Sequence, residues 1–283
     1  MPFACSRRYA LLAAAAFLTA TAPAALGQPR RPDPPAITPP CIVPPELAHF
    51  DLPLPRAARQ MAAQQPLKIV AIGSSSTYGE GASTPAWSYP SRLQLELAYL
   101  FPRHEISVVN RGVNGDNDYD KRDRFERDVI AEKPDVVLWQ LGTNSMLHGN
   151  PLEKHLAILQ GGVDHLRKAS GADIVLIDPQ YAPKVIRGAG ANSIVAMIAE
   201  TARGTNVNLF RRYELMRRWR EIDQLAFDKF ISPDELHMND WSYACVARAL
   251  GTAIADAVTR QTPTAQGVPQ PQGLPPNAAR QGP

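Results

Sequence analysis

Five short apolar runs alternate along the chain with longer segments of helical periodicity, and this alternation limits the folds open to it. Runs of this length suit buried strands, and the segments between them are long enough to cross from one parallel strand to the next. The sequence therefore predicts an α/β fold, a three-layer α/β/α sandwich around a five-stranded parallel sheet. The strands are predicted near 67–72, 106–110, 135–141, 173–178 and 207–210, and the helices near 87–100, 119–132, 151–169, 192–203, 211–225 and 240–260.

The first apolar run, 67–72, ends in glycine and hydroxyl side chains. It continues directly into Gly73, Ser74, Ser75, Ser76 and Thr77. Open α/β sheets bind ligands in the crevice at the carboxyl ends of their strands, so a serine at this point can present its hydroxyl to a ligand. Gly-Ser runs are also common in ordinary loops, and this stretch by itself leaves both interpretations open.

Three further stretches place polar groups at comparable points. Residues 110–115 carry Asn110 and Gly115 after the second run, and residues 142–144 end in Asn144 after the third. Residues 234–237, an Asp-x-x-His, come shortly before the last helical segment. A serine, a glycine amide, an asparagine side chain and an Asp-x-x-His are together the groups that acyl transfer through a serine nucleophile requires.

In this order the four blocks resemble those of SGNH hydrolases, the superfamily that includes the GDSL esterases and lipases. The resemblance implies a flavodoxin-like sheet with the active site at its carboxyl edge. It implies Ser75 as the nucleophile, His237 as the base and Asp234 as the acid that orients the base. The oxyanion hole implied by the resemblance consists of the backbone amides of Ser75 and Gly115 and the side chain of Asn144.

Two positions depart from the pattern of that superfamily. Ser74 stands where an aspartate usually precedes the nucleophile, and Ser145 stands where a second acid usually follows the asparagine. Neither change removes a catalytic group. The first leaves the choice among Ser74, Ser75 and Ser76 less certain than in a GDSL sequence, and both argue against a well-studied GDSL subfamily.

The function implied by the resemblance is hydrolysis of carboxylic esters, with short acyl groups such as acetyl on a carbohydrate or cell-envelope component as the expected substrate. Two alternatives remain open: an O-acyltransferase with the same triad, and a non-catalytic glycan-binding module on the same fold. We expect no metal or nucleotide cofactor. Four side chains that follow strand ends or flank the serine block could line the substrate pocket: Tyr78, Trp87, Gln180 and Tyr181.

The ends of the chain differ in composition from the middle. Residues 1–27 have the basic start, the short apolar core and the small-residue cleavage site of a signal peptide, which predicts a periplasmic or secreted protein without a membrane span in its mature form. Residues 28–65 are rich in proline and are predicted to be an extended linker, in which 47–50 and 57–64 are the segments expected to dock on the core. The hydrolase-like domain is expected over 66–261, and 262–283 is predicted to be a disordered tail.

Cysteine count and charge give weaker indications. Removal of 1–27 leaves two cysteines, Cys41 and Cys245, and an even number in an oxidising compartment suggests one disulfide, with two free thiols as the alternative. The remaining net charge of +1 gives no reason to expect nucleic acid as a partner. The histidines other than His237 show no metal-ligand spacing and are expected at the surface. They are His49, His104, His148, His155 and His165.

Overall fold

A five-stranded parallel sheet forms the centre of the computed structural model, which describes residues 40–260. Its strands are β1 Leu67–Gly73, β2 Ile106–Gly112, β3 Val136–Gln140, β4 Asp173–Ile177 and β5 Asn208–Phe210. They lie in the order β2-β1-β3-β4-β5, and every neighbouring pair is parallel. The chain changes direction across the sheet between β1 and β3, and the carboxyl ends of these two strands therefore flank a ligand-binding crevice.

Helices cover both faces of the sheet, which confirms the predicted three-layer architecture. One group packs together as α1, α3 and α11, and a second group includes α4, α7 and α9. The helices are α1 Pro55–Ala62, α2 Ser75–Tyr78, α3 Tyr89–Leu100, α4 Asp118–Asp123, α5 Phe125–Asp128, α6 Thr143–Leu147, α7 Leu152–Ser170, α8 Pro183–Ile186, α9 Ala191–Thr205, α10 Arg212–Glu221 and α11 Asp240–Thr259. Four 3-10 turns complete the described part, at Pro45–Leu47, Pro85–Trp87, Ile130–Glu132 and Phe227–Lys229.

The helix predicted over 119–132 is interrupted. The structure has α4, α5 and a 3-10 turn in its place, with Arg124 as the junction between α4 and α5. The Arg124 guanidinium reaches out of the helix line to the Gly73 carbonyl and to the carboxylates of Asp116 and Asp128. These tertiary contacts override a local helical pattern.

The proline-rich segment is not an extended linker from residue 40 onward, and the docking predicted for 47–50 and 57–64 is confirmed. From residue 40 onward it packs on the domain: Phe50 and Ala57 are fully buried, and α1 contacts α11. The carboxylate of Asp173 accepts hydrogen bonds from the backbone amides of Arg56 and Ala57, and the Asn208 amide pairs with Leu52. Apolar side chains at intervals and these polar anchors hold a segment that its proline content alone would leave extended, and the packed domain begins well before residue 66.

A disulfide joins Cys41 to Cys245 on α11, with the two Cα atoms 5.5 Å apart, which confirms the predicted bridge. It fastens the start of the described segment to a helix whose inner face is fully buried. The predicted signal peptide 1–27, the tail 262–283 and residues 28–39 of the predicted linker lie outside the described residues. Within 40–260, no helix is both long and apolar enough to cross a membrane.

Candidate active site

The serine block forms a tight turn between β1 and α2, directly at the carboxyl edge of the sheet. A Cβ at Gly73 would come within 1.9 Å of Thr77 Oγ1 and 2.6 Å of Gln140 Oε1, so only glycine fits there. The next residue, Ser74, is held through its backbone amide and hydroxyl, which donate to Gln140 Oε1 at 2.7 and 3.0 Å. Ser75 is then the first residue of α2. Sequence analysis missed Gln140, although a glutamine that ends the apolar strand β3 is a signal that could have found it.

The three adjacent serines make different contacts. The Ser74 hydroxyl donates to Gln140, and the Ser76 hydroxyl donates to Gln180 at 3.3 Å. The Ser75 hydroxyl oxygen lies 2.8 Å from His237 Nε2. The structure therefore brings Ser75, rather than its two neighbours, to the predicted base.

His237 also contacts the predicted orienting acid. Its Nδ1 forms a hydrogen bond to Asp234 Oδ2. Because a carboxylate can only accept, Nδ1 carries the proton, and Nε2 of the neutral ring is free to accept from the Ser75 hydroxyl. Ser75, His237 and Asp234 thus form one hydrogen-bonded chain, with the His237 side chain 13 % exposed.

The loop that carries the histidine is held by its own backbone. Asp234 Oδ1 accepts from the amides of Leu236 at 3.0 Å and His237 at 2.9 Å, and the Ser232 amide donates to the His237 carbonyl. Partial burial would raise the pKa of the Asp234 carboxyl, but these two amides and the His237 ring outweigh it and hold that pKa below its ordinary value. Asp234 is therefore ionised at neutral pH, as an acid that stabilises an imidazolium must be.

The three groups predicted to form an oxyanion hole follow the carboxyl ends of β1, β2 and β3. Asn144, the second residue of α6, uses one N–H of its side-chain amide to donate to the Asp116 carbonyl at 2.9 Å, and an amide nitrogen has a second N–H. Gly115 adopts a φ of +85°, which favours glycine. Within residues 40–260, the backbone amides of Ser75 and Gly115 donate to no protein acceptor. All three groups predicted for an oxyanion hole are thus available.

Arg124 connects the two loops that carry these donors. One of its nitrogens donates to the Gly73 carbonyl at 2.9 Å, and another donates to the Asp116 carboxylate at 2.7 Å. The arginine is itself only 8 % exposed. It therefore fixes the residue before the serine block against the residue that follows Gly115, and no sequence pattern indicated this role.

A buried ionic cluster around Asp118 is hydrogen-bonded to α6 and to its N-cap residue Gly142. Asp118 Oδ1 accepts from Lys121 Nζ at 2.9 Å and from the Gly142 amide at 3.1 Å, while the Asp118 amide donates to Ser145 Oγ. Burial would raise the pKa of Asp118, but Lys121 and the other donors hold it well below its ordinary value. His155 lies 3.1 Å from the same carboxylate and is 1 % exposed, so the expectation of a surface histidine is wrong there.

Gln180 and Tyr181, two of the four predicted substrate-lining residues, are placed differently from that prediction. Gln180 is 1 % exposed and its side chain hydrogen-bonds within the protein, so it is not part of a substrate surface. Tyr181 donates to Glu221 and its ring stacks on Phe227. It borders a cavity of about 750 Å³ beside α9 and α10, to which none of Ser75, Asn144 and His237 contributes.

Tyr78 and Trp87 are the other two predicted substrate-lining residues. Tyr78 ends α2 and is 53 % exposed. Trp87 is partly buried against the core, and the guanidinium of Arg92 lies 4.6 Å from its ring centroid. Their role in substrate binding stays a prediction.

Comparison with known proteins assigns the chain to a family. The model of the non-GDSL lipase-like family matches residues 40–260. This chain is a member of the non-GDSL lipase-like family. The assignment agrees with the resemblance to SGNH hydrolases and with the serine that replaces the acid of the GDSL pattern at position 74.

A relative of this non-GDSL lipase-like protein is an acetylxylan esterase. The acetylxylan esterase of Geobacillus stearothermophilus is 39 % identical over 64 residues, which is 21 % of this chain and 29 % of that protein. The chain thus matches less than a third of that relative's length.

Solved structures share the fold. A two-domain esterase (CEX) active on acetylated mannans superposes with a TM-score of 0.66 at 19 % identity, over 80 % of this chain and 60 % of that chain. Axe2, an acetylxylan esterase from Geobacillus stearothermophilus, gives 0.55 at 21 % identity, over 69 % of this chain and 95 % of that chain. The lipase/acylhydrolase from Enterococcus faecalis gives 0.55 at 23 % identity, over 67 % and 96 % of the two chains.

Proposed function

We propose that this protein is a serine esterase that removes short acyl groups, acetyl above all, from a carbohydrate or cell-envelope component. The observation that carries the proposal is the hydrogen-bonded chain from Ser75 through His237 to Asp234. An arrangement of this kind activates a hydroxyl that is a poor nucleophile by itself. The proposed catalytic residues are Ser75, His237 and Asp234.

The first half of the reaction forms an acyl-enzyme. The Ser75 oxygen attacks the ester carbonyl as His237 Nε2 takes the serine proton. The negative charge on the carbonyl oxygen is received by the amides of Ser75 and Gly115 and by the Asn144 side chain. The bond to the alcohol oxygen then breaks, and the imidazolium returns its proton to that oxygen, so the sugar hydroxyl leaves.

The second half returns the free enzyme. Water enters where the alcohol left, and His237 takes a proton from it as its oxygen attacks the acyl-serine carbonyl. The same three donors hold the second oxyanion, the bond to Ser75 Oγ breaks, and the serine recovers its proton from His237. Asp234 keeps the ring oriented through both halves and remains ionised, because its pKa lies below the ordinary value.

The substrate class is supported by the relatives. Two proteins of different substrate preference, one active on acetylated mannans and one an acetylxylan esterase, share this fold. Both act on acetyl groups carried by a polysaccharide. We extend this shared chemistry to the present chain.

Export fits the same proposal. The predicted signal peptide of residues 1–27 would direct the protein to the periplasm or the medium, where acetylated polysaccharides and envelope polymers are found. The disulfide between Cys41 and Cys245 supports this location, since such bonds persist in oxidising compartments.

Transfer to a sugar hydroxyl is the second candidate reaction, and it differs only in the acceptor of the acyl group.

To distinguish the two reactions, purified protein would be incubated with p-nitrophenyl esters of increasing acyl length and with acetylated xylan and mannan oligosaccharides, with and without unacetylated acceptor sugar. Release of acetate by the wild type and its loss in Ser75→Ala would support hydrolysis, whereas appearance of the acyl group on the acceptor sugar would favour transfer. Glycan binding without release of any acyl group would refute both and leave a non-catalytic binding module.

A further inference from the structure

One buried side chain contacts three of the four segments that carry the proposed catalytic machinery, all but the segment of Gly115. Gln180 follows β4 and is 1 % exposed. Its Oε1 accepts from the hydroxyls of Ser76 at 3.3 Å and Thr143 at 3.0 Å, and its Nε2 donates to the Leu236 carbonyl at 3.1 Å.

Each of these three partners is the chain neighbour of a proposed catalytic group. Ser76 is the chain neighbour of Ser75, Thr143 of Asn144, and Leu236 of His237. The amide thus bonds the residues adjacent to the nucleophile, to the side-chain oxyanion donor and to the base. The three belong to segments far apart in the chain: Gln180 is 104 residues from Ser76, 37 from Thr143 and 56 from Leu236.

A fully buried arginine fixes which way the amide points. Arg212, the first residue of α10, donates from Nη2 to Gln180 Oε1 at 3.1 Å and from Nε to the Asp178 carbonyl at 2.9 Å. A guanidinium has no acceptor, so the oxygen of the amide must face it and the nitrogen must face Leu236. Both hydroxyl donors then meet the same oxygen, and the network has a single arrangement.

We propose that Gln180 is a positioning residue, oriented by Arg212, that sets the distances among the nucleophile, the side-chain donor of the oxyanion hole and the base. The inference rests on the proposed function of these groups. Each group sits on a different loop, and a misplacement of about 1 Å can cost on the order of 100-fold in rate. One short side chain bonded to all three loops limits such displacement in a way that no bond within a single loop can.

Three variants separate the contacts. Gln180→Leu removes all of them. Gln180→Glu keeps an acceptor for Ser76, Thr143 and Arg212 but cannot donate to the Leu236 carbonyl. Thr143→Val is isosteric and removes only the bond beside Asn144. We expect kcat on p-nitrophenyl acetate to fall on the order of 100-fold in Gln180→Leu and less in the other two, with KM unchanged in all three.

Asn208→Leu is the matched control, because Asn208 is a buried amide that bonds both backbone groups of Leu52, away from the proposed site. We expect it to lower the Tm as Gln180→Leu does, and to leave kcat at the wild-type value. Should Gln180→Leu fail to fold, the Gln180→Glu and Thr143→Val variants carry the test. Equal kcat in these variants and the wild type, or an equal fall in Asn208→Leu, would overturn the proposal.

The rate at which a fluorophosphonate labels Ser75 is measured on the same variants. This readout needs a positioned serine, histidine and oxyanion hole but no turnover of an ester. One outcome is a wild type that hydrolyses no acetyl ester, with Gln180 variants that are labelled more slowly than the wild type. That result would refute the esterase proposal and retain the positioning role of Gln180. Wild-type labelling rates in all variants would refute the positioning role alone, and no labelling of the wild type would refute both.

Discussion

Replacing Asp234 by asparagine tests the triad most sharply, because the structure dictates how the new amide must sit. Asp234 Oδ1 accepts from the backbone amides of Leu236 and His237. An asparagine NH₂ placed there would face two N–H donors, so its oxygen must occupy that position. The NH₂ then faces His237 Nδ1 and forces that nitrogen to accept. In the neutral ring the proton moves to Nε2, which can no longer take the proton of Ser75.

The expected loss follows from this change of tautomer. In serine triads, the wrong tautomer with intact geometry lowers kcat by about 10⁴-fold, which corresponds to about 5.5 kcal/mol of transition-state stabilisation. The local backbone bonds to the new side-chain oxygen are retained, so the Tm should change little. Because the pKa of Asp234 lies below its ordinary value, mild acidification of the wild type should leave Asp234 ionised.

The assay is hydrolysis of p-nitrophenyl acetate by wild type and Asp234→Asn, with kcat and KM determined separately and the fold checked by circular dichroism. Asp228→Asn is the matched control, since Asp228 is 74 % exposed on the neighbouring turn and pairs only loosely with Lys229 at 3.8 Å. Its kcat should equal that of the wild type. A folded Asp234→Asn enzyme that keeps more than roughly a tenth of the wild-type kcat would show that Asp234 does not set the state of His237.

Three other predictions follow from the same contacts. Ser75→Ala should abolish hydrolysis, and Ser74→Ala and Ser76→Ala should retain substantial activity; kinetics and phosphonate labelling mapped by mass spectrometry check this, and label on Ser74 would contradict it. Asn144→Ala should lower kcat by roughly 10²–10³-fold with little effect on KM, and an unchanged kcat would remove it from the oxyanion hole. The double variant Cys41→Ala/Cys245→Ala removes a bridge between residues separated by 204 positions in the sequence. Its free energy of unfolding should fall by roughly 2–4 kcal/mol, which lowers the Tm on the order of 10 °C. An unchanged melting curve would show that the bridge does not stabilise the domain.

The sequence alone was sufficient for the architecture. Each strand of the sheet is marked by its own short run of apolar residues, and the crossover segments carry their own periodicity. The four chemical blocks are also marked locally, because each lies within a few residues of a strand end or in the loop before the last helix. They are Gly73 and Ser75, the amide of Gly115, Asn144, and the pair Asp234 and His237. Local patterns could therefore predict where the site would form.

Contacts between distant residues could not be predicted in this way. The resemblance points to Ser75, but which serine meets the base depends on a hydrogen bond that spans 162 residues, and no local pattern shows that bond. Arg212, in the helix predicted near 211–225, is fully buried beside Gln180, which the helical pattern did not indicate.

The proline-rich segment shows the same limit. Composition favoured a linker in which 47–50 and 57–64 dock on the core, but not the partner: α1 packs against α11, which lies at the other end of the described chain. Burial and buried hydrogen bonds depend on which segments the fold brings together, and a local pattern carries no information about its distant partners. The sequence therefore determined the sheet and the chemical groups, while the tertiary structure decided which of those groups meet and which buried side chains hold them there.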